Sequence, residues 1–473
     1  MSKLKDSRRD FIKGIGILGA GAAVGCISIN KEEKEKNITR MSTRPKGAQY
    51  MGDFSAPSLE TVRCAFIGVG SRGSGHASQF AQIDGVEIVA ICDLYEDLAI
   101  KSRNECKEKG AGRHQNIALY HGDQNLWKKM LKEVRPDAVF IATPWGLHAP
   151  MLITAMEEGA HAFAEVPIAT TIEDMYKIVD VSEKTQKHCM MMENVNYGRE
   201  ELLYLNMCRQ GVIGDLLHGE AAYIHDLRYH MEEQERGAGS WRTYHNANRN
   251  GNLYPTHGLG PVAQYMNLAR TEDNFSRLVS FSSPAIGRKK YASKYYGKDH
   301  KWNKLDFKGG DINTSIIKTN LGRTIMVQWD ETSPRPYSRL NLIQGTKGTL
   351  AGFPTRVALL EDIKRVTNDH HGWLDEEQLQ VIYEKYEHPL YKRLGTLASA
   401  MGGHGGKDFI MRYRIIECLR NGTPLDQNLY EGCFWSAVAP LTETSVAQNG
   451  MPQEFPDFTR GDWKKTKPLK IIS

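Results

Sequence analysis

The chain has 473 residues, 40% hydrophobic and 25% charged, an ordinary globular composition with length for two or more cores. Sparse proline (18) and aperiodic glycine (44) exclude a collagen-like or mostly disordered chain. The formal charge of +5 gathers at the N-terminus, where Lys3, Lys5, Arg8, Arg9 and Lys13 face only Asp6 and Asp10. The remainder is close to neutral and lacks the basic face that releases phosphate counterions, so nucleic acid is not an expected partner.

Ser7-Arg8-Arg9-Asp10-Phe11-Ile12-Lys13 precedes a weakly apolar, glycine-rich run from Gly14 to Gly25. That run is too short for a bilayer core, which takes about 20 apolar residues. A basic start, a short apolar middle and a small-residue end describe a secretory signal. The arginine pair followed by Phe-Ile-Lys resembles a twin-arginine signal, which directs export of folded proteins. Ala23-Val24-Gly25-Cys26 resembles a lipobox with Cys26 as the lipidated residue, so a membrane is met only through that anchor. The expected location is the periplasm or the cell envelope. Residues 27–58, with alternating Lys and Glu from Lys31 to Lys36 and with Pro45 and Pro57, read as a polar tether. The eight cysteines contain no C-x-x-C pair, and Cys64, Cys92 and Cys189 sit in apolar runs. They are expected to be buried small hydrophobes, and no metal site is expected.

A dinucleotide fold is predicted over residues 59–194. Val62 to Ile67 is a short apolar run that leads into Gly68-Val69-Gly70-Ser71-Arg72-Gly73, after which the sequence turns helical. In such a G-x-G-x-x-G the first glycine permits the turn and the second lets backbone approach a pyrophosphate. The third lets the helix pack on the strand, with its N-terminus facing the anion. A second strand, Val86 to Cys92, ends in Asp93, placed to accept ribose hydroxyls; capping the next helix is the alternative role. An acid there repels a 2′-phosphate, so NAD is favoured over NADP, a preference that Arg72 could soften. Further βα units follow through the strands 137–144, 161–164 and 188–194. Ligands bind at the carboxyl ends of such strands, which makes Trp145, His148, Glu165 and Asn194 candidates by position. From residue 195 to 473 the pattern changes to longer alternating segments, Leu217 to Ile224, Thr324 to Trp329 and Arg339 to Gln344. They are expected to be joined by loops, which gives an α+β domain with a largely antiparallel sheet. Lys407 to Arg420 reads as a late helix closing at Asn421-Gly422. The fold class is α/β, a doubly wound parallel sheet followed by this second domain.

The Rossmann half, Glu165-Val166-Pro167 and the mixed second domain resemble the glucose-fructose oxidoreductase and inositol dehydrogenase family. Within it, the glycine motif, Glu165-Val166-Pro167 and the segment from Gly251 to Pro261 resemble glycoside hydrolase family 109, the NAD-dependent α-N-acetylgalactosaminidases. Dehydrogenases of the wider family usually carry Glu-Lys-Pro; Val166 stands at the lysine position, and the resemblance therefore implies a hydrolase. It implies tightly bound NAD contacting Ser71, Arg72, Asp93, Trp145, Gly146, Leu147, His148, Glu165, Val166 and Asn194. It implies a sugar contacting Tyr223, Arg242, Tyr254, Pro255, Thr256, His257 and Tyr337. His225, Tyr229 and His404 are neighbours that could enter the pocket.

A conventional glycosidase flanks the scissile bond with two carboxylates. The stretch from Trp241 to Pro261 contains no Asp or Glu. That absence fits the route implied by the resemblance, in which NAD takes a hydride from C3 of the sugar. The C2 proton, made acidic by the new ketone, is then removed, and the aglycone leaves by elimination. Water adds, and the hydride returns. His257 can serve as base and acid in turn, with Tyr254 and Tyr223 as the other catalytic candidates and the division of roles open. A structural histidine in a glycine-rich bend is the alternative for His257. Arg242 offers a forked donor for sugar hydroxyls or an acetamide. The expected partner is a glycan or glycoconjugate bearing terminal α-GalNAc, and a homo-oligomer is left open. The competing readings are a periplasmic NAD(P)-dependent sugar oxidoreductase and a non-catalytic sugar- or NAD-binding protein.

Overall fold

A computed structural model describes residues 43–360 and 372–472. The expected twin-arginine signal at 1–26, the lipobox at Cys26 and the start of the tether lie outside the described residues. From Arg44 onward the chain forms one unit built on two sheets.

The first sheet holds β1 (Val62–Ile67), β2 (Val86–Asp93), β3 (Ala118–His121), β4 (Ala138–Ile141), β5 (His161–Ala164) and β6 (Cys189–Met191). All pairs are parallel, in the order β3-β2-β1-β4-β5-β6. Helices α1 (Ser71–Phe80), α2 (Glu96–Lys109), α3 (Leu126–Val134), α4 (His148–Glu157) and α5 (Ile172–Thr185) connect them. Strands β4, β5 and β6 are buried throughout, which explains their apolar sequence, broken only by His161 at the start of β5. The strand order reverses beside β1, and a crevice at the carboxyl ends follows from that switch. Strand β3 escapes sequence reading because its four residues are all half-buried at the sheet edge.

The second sheet contains β7 (Leu216–Ile224), β8 (Phe275–Ser282), β9 (Ile312–Thr319), β10 (Thr324–Asp330), β11 (Leu342–Gly345), β12 (Gly348–Ala351), β13 (Arg356–Leu359) and β14 (Gln453–Glu454). Its order is β13-β12-β11-β7-β10-β9-β8-β14, antiparallel except where β7 meets β10. This half also carries α6 (Arg199–Arg209), α7 (Ala238–Asn248), α8 (Thr256–Tyr265), α9 (Gly287–Tyr295), α10 (Glu376–Tyr386), α11 (Pro389–Met401), α12 (Lys407–Asn421) and α13 (Leu429–Ala447).

Three expectations change. The strands of the second sheet are not joined by loops alone, because α7, α8 and α9 lie between β7 and β9. Helix α8 is hidden in the sequence by Gly258, Gly260 and Pro261, all poor helix formers. Its glycines serve packing. A Cβ on Gly258 would meet the Ala222 backbone of β7, with its carbonyl carbon at 2.9 Å. One on Gly260 would come within 3.1 Å of Glu193 Cγ.

The division at residue 194 separates the sheets but not the cores. Leu390, Leu394, Phe409, Ile410 and Ile415 of α11 and α12 share a core with Val62, Phe66, Phe80 and Phe140. Helix α12 ends as its sequence requires, with Gly422 in the left-handed region at φ 61°.

The final part of the expected tether is packed. Arg44 bonds Glu183 at 2.9 Å and Asp462 at 2.8 Å, and Tyr50 stacks on Tyr430. Met51 is buried. A polar segment reads as a tether in sequence because its charged partners lie 139 and 418 residues away. The seven described cysteines are all free, and six are buried.

Replacing Gly258 by Ala should force α8 off β7 and cost about 1–3 kcal/mol, the usual penalty for overpacking. Denaturant unfolding reads this directly. An unchanged midpoint would contradict the close approach of α8 to Ala222.

Candidate active site

The glycine turn forms a cradle at the carboxyl edge of the parallel sheet. Gly68 sits at φ 81°, and a Cβ there would lie 2.8 Å from the Ala142 carbonyl oxygen. A Cβ on Gly73 would run into the Gly68 carbonyl, whereas Gly70 faces space with nothing within 4 Å. The backbone is therefore tight where helix meets strand and open where an anion would approach. Asp93 ends β2, and its Oδ2 accepts the Val69 N–H at 2.7 Å while Oδ1 accepts the Tyr95 N–H at 2.9 Å. Asp93 does not cap the helix that follows, whose N-cap Tyr95 has no side-chain cap. It ties down the turn and the approach to α2, and each oxygen keeps lone-pair capacity for a ribose hydroxyl.

Arg72 turns inward. Its Nε donates to Glu165 at 2.7 Å, and its terminal nitrogens donate to Asp408 at 2.7 and 3.0 Å. Asn194 Nδ2 donates to the same Asp408 at 2.6 Å, and the exposed His404 ring reaches it at 2.8 Å. Behind Glu165, His76 Nδ1 accepts from Arg412 Nε at 2.8 Å, which leaves Nε2–H to donate to Glu165 at 2.5 Å. Burial and then the Arg412 charge push His76 down to about 4, so this ring is neutral. Burial opposes ionisation of Glu165, but Arg72 and His76 outweigh it and hold the carboxyl well below its usual range. With two carboxylates on its guanidinium, Arg72 is not free to receive a 2′-phosphate, which removes the softening of NAD preference expected of it.

Trp145 to Leu147 make a 3-10 turn after β4. The Trp145 indole is buried and meets Trp241 and His245 edge-on, at 4.9 and 4.8 Å between centroids. Leu147 is exposed and Val166 is buried. The His148 side chain does not reach the cleft: it is fully buried, with both ring nitrogens on the backbone carbonyls of Pro167 and Thr143. It braces two strand-end loops. Asn194 Oδ1 is buried without a partner. The cradle, the open face at Gly70 and this orphaned amide oxygen fit a dinucleotide, which the glycine turn, Asp93 and Asn194 would hold.

The sugar-side candidates converge on the ends of β7 and α8. Tyr223 and Tyr254 stack at 4.4 Å, and the Tyr254 hydroxyl lies 3.3 Å from His257 Nε2. Tyr337 meets the Tyr223 ring at a right angle, 6.4 Å away, and His225 Nδ1 is 3.1 Å from the Tyr223 hydroxyl. The Arg242 guanidinium lies over Trp145 at 4.8 Å and over Tyr254 at 5.1 Å, with its Nε buried and unpartnered. Pro255 caps α8, and Thr256 is buried with an unpartnered hydroxyl. Tyr229 stays outside this cluster, exposed and packed on His230. Burial raises the Tyr223 hydroxyl, and burial with the neighbouring Tyr223 raises Tyr254 well above its usual value. Both phenols therefore keep their protons at neutral pH and act as donors or relays. Two imidazoles meet these phenols, His257 at the Tyr254 hydroxyl and His225 at the Tyr223 hydroxyl.

Several residues that sequence reading passed over complete the site. Glu193, fully buried, places Oε1 2.6 Å from His257 Nδ1. Glu331 receives Arg242 at 3.4 Å, and Arg288 and Asn246 at 3.2 Å each. Asp408, His76 and Arg412 knit the cofactor edge. Only Glu193 had a usable signal, as an acid at a strand end beside Asn194; Glu331 and Asp408 are brought in by the second domain. Among the described residues no cluster of His, Cys, Asp or Glu has the arrangement of a metal site.

Comparison with known proteins agrees with both halves. The family described as glycosyl hydrolase 109, C-terminal domain, matches residues 197–465. The oxidoreductase family with an NAD-binding Rossmann fold matches residues 62–193. Glycosyl hydrolase family 109 protein 1 of Akkermansia muciniphila is 60% identical over 98% of this chain and 99% of its own. The alpha-N-acetylgalactosaminidase of Shewanella oneidensis is 49% identical over 98% of each. Among solved structures, levoglucosan dehydrogenase in complex with NADH and levoglucosan shares the fold, with a TM-score of 0.62 and 18% identity. That match covers 84% of this chain and all of the other. Scyllo-inositol dehydrogenase of Lactobacillus casei with bound NAD(H) and scyllo-inositol gives a TM-score of 0.56 at 15% identity, over 83% of this chain and 99% of the other. The chain belongs to glycosyl hydrolase family 109, a glycosidase built on an NAD-binding Rossmann fold.

Proposed function

We propose that this protein hydrolyses terminal α-N-acetylgalactosamine from glycans or glycoconjugates, with bound NAD oxidised and reduced once per turnover. One observation carries the reading. A histidine held by the buried carboxylate of Glu193 and flanked by Tyr254 and Tyr223 lies next to Asn194, the residue after Glu193, whose amide oxygen is unpartnered. Asp408, Glu331 and Glu193 are buried, Glu165 is half-buried, and each is paired with a cation or an imidazole. None is a free acid of the kind a two-carboxylate glycosidase needs.

When bound, NAD⁺ supplies a hydride acceptor that is restored within the cycle, so the net reaction is hydrolysis. The chain supplies the rest. His257 Nε2 removes a proton from the sugar, and the Tyr254 hydroxyl at 3.3 Å passes protons between substrate and imidazole. Tyr223 and Tyr337 wall the sugar, and Arg242, stacked on Trp145 and Tyr254, presents donors to hydroxyls or the acetamide oxygen. Val166 contributes no proton, unlike the lysine usual in the related dehydrogenases.

The protein is exported folded by the twin-arginine route and anchored through Cys26, a reading supported by Arg8-Arg9 and Ala23 to Cys26. Export of a folded chain lets the cofactor travel inside it. Replacing Arg8-Arg9 by Lys-Lys should leave a folded, active protein in the cytoplasm, and Cys26→Ala should release a soluble exported form. Cell fractionation reads both, and efficient export of the Lys-Lys variant would refute the twin-arginine route.

Purified protein, denatured and assayed for dinucleotide, should release NAD and not NADP, because Asp93 faces the ribose and Arg72 is already paired. Absence of dinucleotide, with no activation by added NAD⁺, would sink the redox cycle.

Turnover of an aryl α-GalNAc in heavy water should leave deuterium at C2 of the released sugar. His257→Ala should lower cleavage by about two to four orders of magnitude, the range for a lost acid–base group, while retaining NAD. Hydrogen fully retained at C2 during cleavage would exclude this chemistry.

A further inference from the structure

Histidine 257 has two ring nitrogens in different surroundings. Nε2 faces the Tyr254 hydroxyl at 3.3 Å, and Nδ1 faces Glu193 Oε1 at 2.6 Å. Which nitrogen holds the proton of the neutral ring decides whether His257 can act as a base towards the sugar. An ionised carboxyl oxygen only accepts hydrogen bonds, so a carboxylate on Nδ1 requires Nδ1–H and leaves the lone pair on Nε2.

The surroundings fix Glu193 as firmly as Glu193 fixes the ring. Its side chain is fully buried. Its carbonyl oxygen accepts the Gln427 amide at 2.9 Å, and its Oε1 also accepts the Val195 N–H at 3.4 Å. Gly260 packs against its Cγ, and Gly258, on the same helix, packs against β7. The two glycines let α8 come close enough for His257, one residue before Gly258, to reach the carboxylate. Larger residues at either position would push the helix away. The second oxygen, Oε2, is buried without any partner. A carboxyl group that served packing alone would leave an expensive unsatisfied atom there. A carboxylate that must balance an imidazolium during each turnover has a reason to be buried and incompletely satisfied.

We propose that Glu193 is the positioning residue of the catalytic histidine. It holds His257 in the Nδ1–H tautomer with Nε2 turned to Tyr254 and the sugar, and it stabilises the imidazolium formed when Nε2 takes a proton. In that step a substrate O–H or C–H bond breaks and an Nε2–H bond forms. The electron pair stays on the substrate, and the Nδ1 proton remains on His257. The proposal rests on His257 being the base of the glycosidase reading.

Nitrogen NMR of the resting protein labelled with ¹⁵N-histidine, with the His257 signals assigned by their loss in His257→Gln, reads the tautomer without any substrate. At a pH where the ring is neutral, the expected result is a protonated Nδ1 and an unprotonated Nε2. An Nε2–H ring in the wild-type protein overturns the proposal, whatever the enzyme cleaves. Glu193→Gln keeps the shape and removes the charge. With an aryl α-GalNAc it should lower kcat by about 10²-fold or more, within the range for acid–base catalysis. KM should stay within about threefold, and bound NAD and the thermal midpoint should be unchanged. Glu193→Asp should recover part of the lost kcat because it restores the charge. Wild-type kcat in the Gln variant, or a loss confined to KM, overturns the positioning role. Should the Gln variant not fold, the wild-type tautomer still decides. Should the wild-type protein not cleave the glycoside, the glycosidase reading fails while the tautomer result stands by itself.

Discussion

The guanidinium of Arg72, held between Glu165 and Asp408, is the interaction on which the cofactor edge depends. It joins the glycine turn, the end of β5 and the start of α12, three segments separated in sequence by up to 336 residues. Taking such charges out of water costs several kcal/mol per ion, and that cost is offset only while every partner is present. Arg72 keeps partial contact with water, so losing one member costs less than the about 3–5 kcal/mol of a fully buried pair. The group is built to be complete. His76 stays neutral and passes a hydrogen bond from Arg412 to Glu165, and Asn194 adds a donor to Asp408. The cradle thus has fixed walls before any dinucleotide arrives, which is the condition for binding it without further ordering.

The sugar side is organised differently, by stacked rings and not by ion pairs. Tyr254 carries Tyr223 on its ring and Arg242 beside it, and its hydroxyl reaches His257. Burial keeps both phenols protonated, and the Tyr254 hydroxyl meets the His257 imidazole. Glu331 holds Arg242 from behind, together with Arg288, and keeps a buried cation compatible with the aromatic wall. Cofactor edge and sugar side meet at consecutive residues, Glu193 on His257 and Asn194 on Asp408, so one strand end orients both.

Much of this was legible in the residues. The glycine turn, Asp93, Glu165 and Asn194 stand at strand ends that any parallel sheet must present together, and apolar runs mark those strands without ambiguity. The segment from Gly251 to Pro261 marked the sugar side. What it concealed was its own helix, because Gly258 and Gly260 lower helix propensity while meeting a packing demand visible only against Ala222 and Glu193. His148 shows the opposite failure. Its position at a strand end suggested a cofactor contact, yet both ring nitrogens are taken by backbone carbonyls. Strand-end position selects the loop, and rotamer and packing select which side chain enters the cleft.

By itself, the sequence determined the elements governed by local rules: strand burial from apolar runs, the turn from its glycines, the close of α12 at Gly422. Its resemblance to the related dehydrogenases added one implication, because Val166 stands where they usually carry a lysine. Tertiary structure alone decided the partners. Asp408 on Arg72, Glu331 on Arg242 and Glu193 on His257 pair residues with no sequence spacing in common. Charge pairing acts through space over a few ångströms, and distance along the chain carries no record of it.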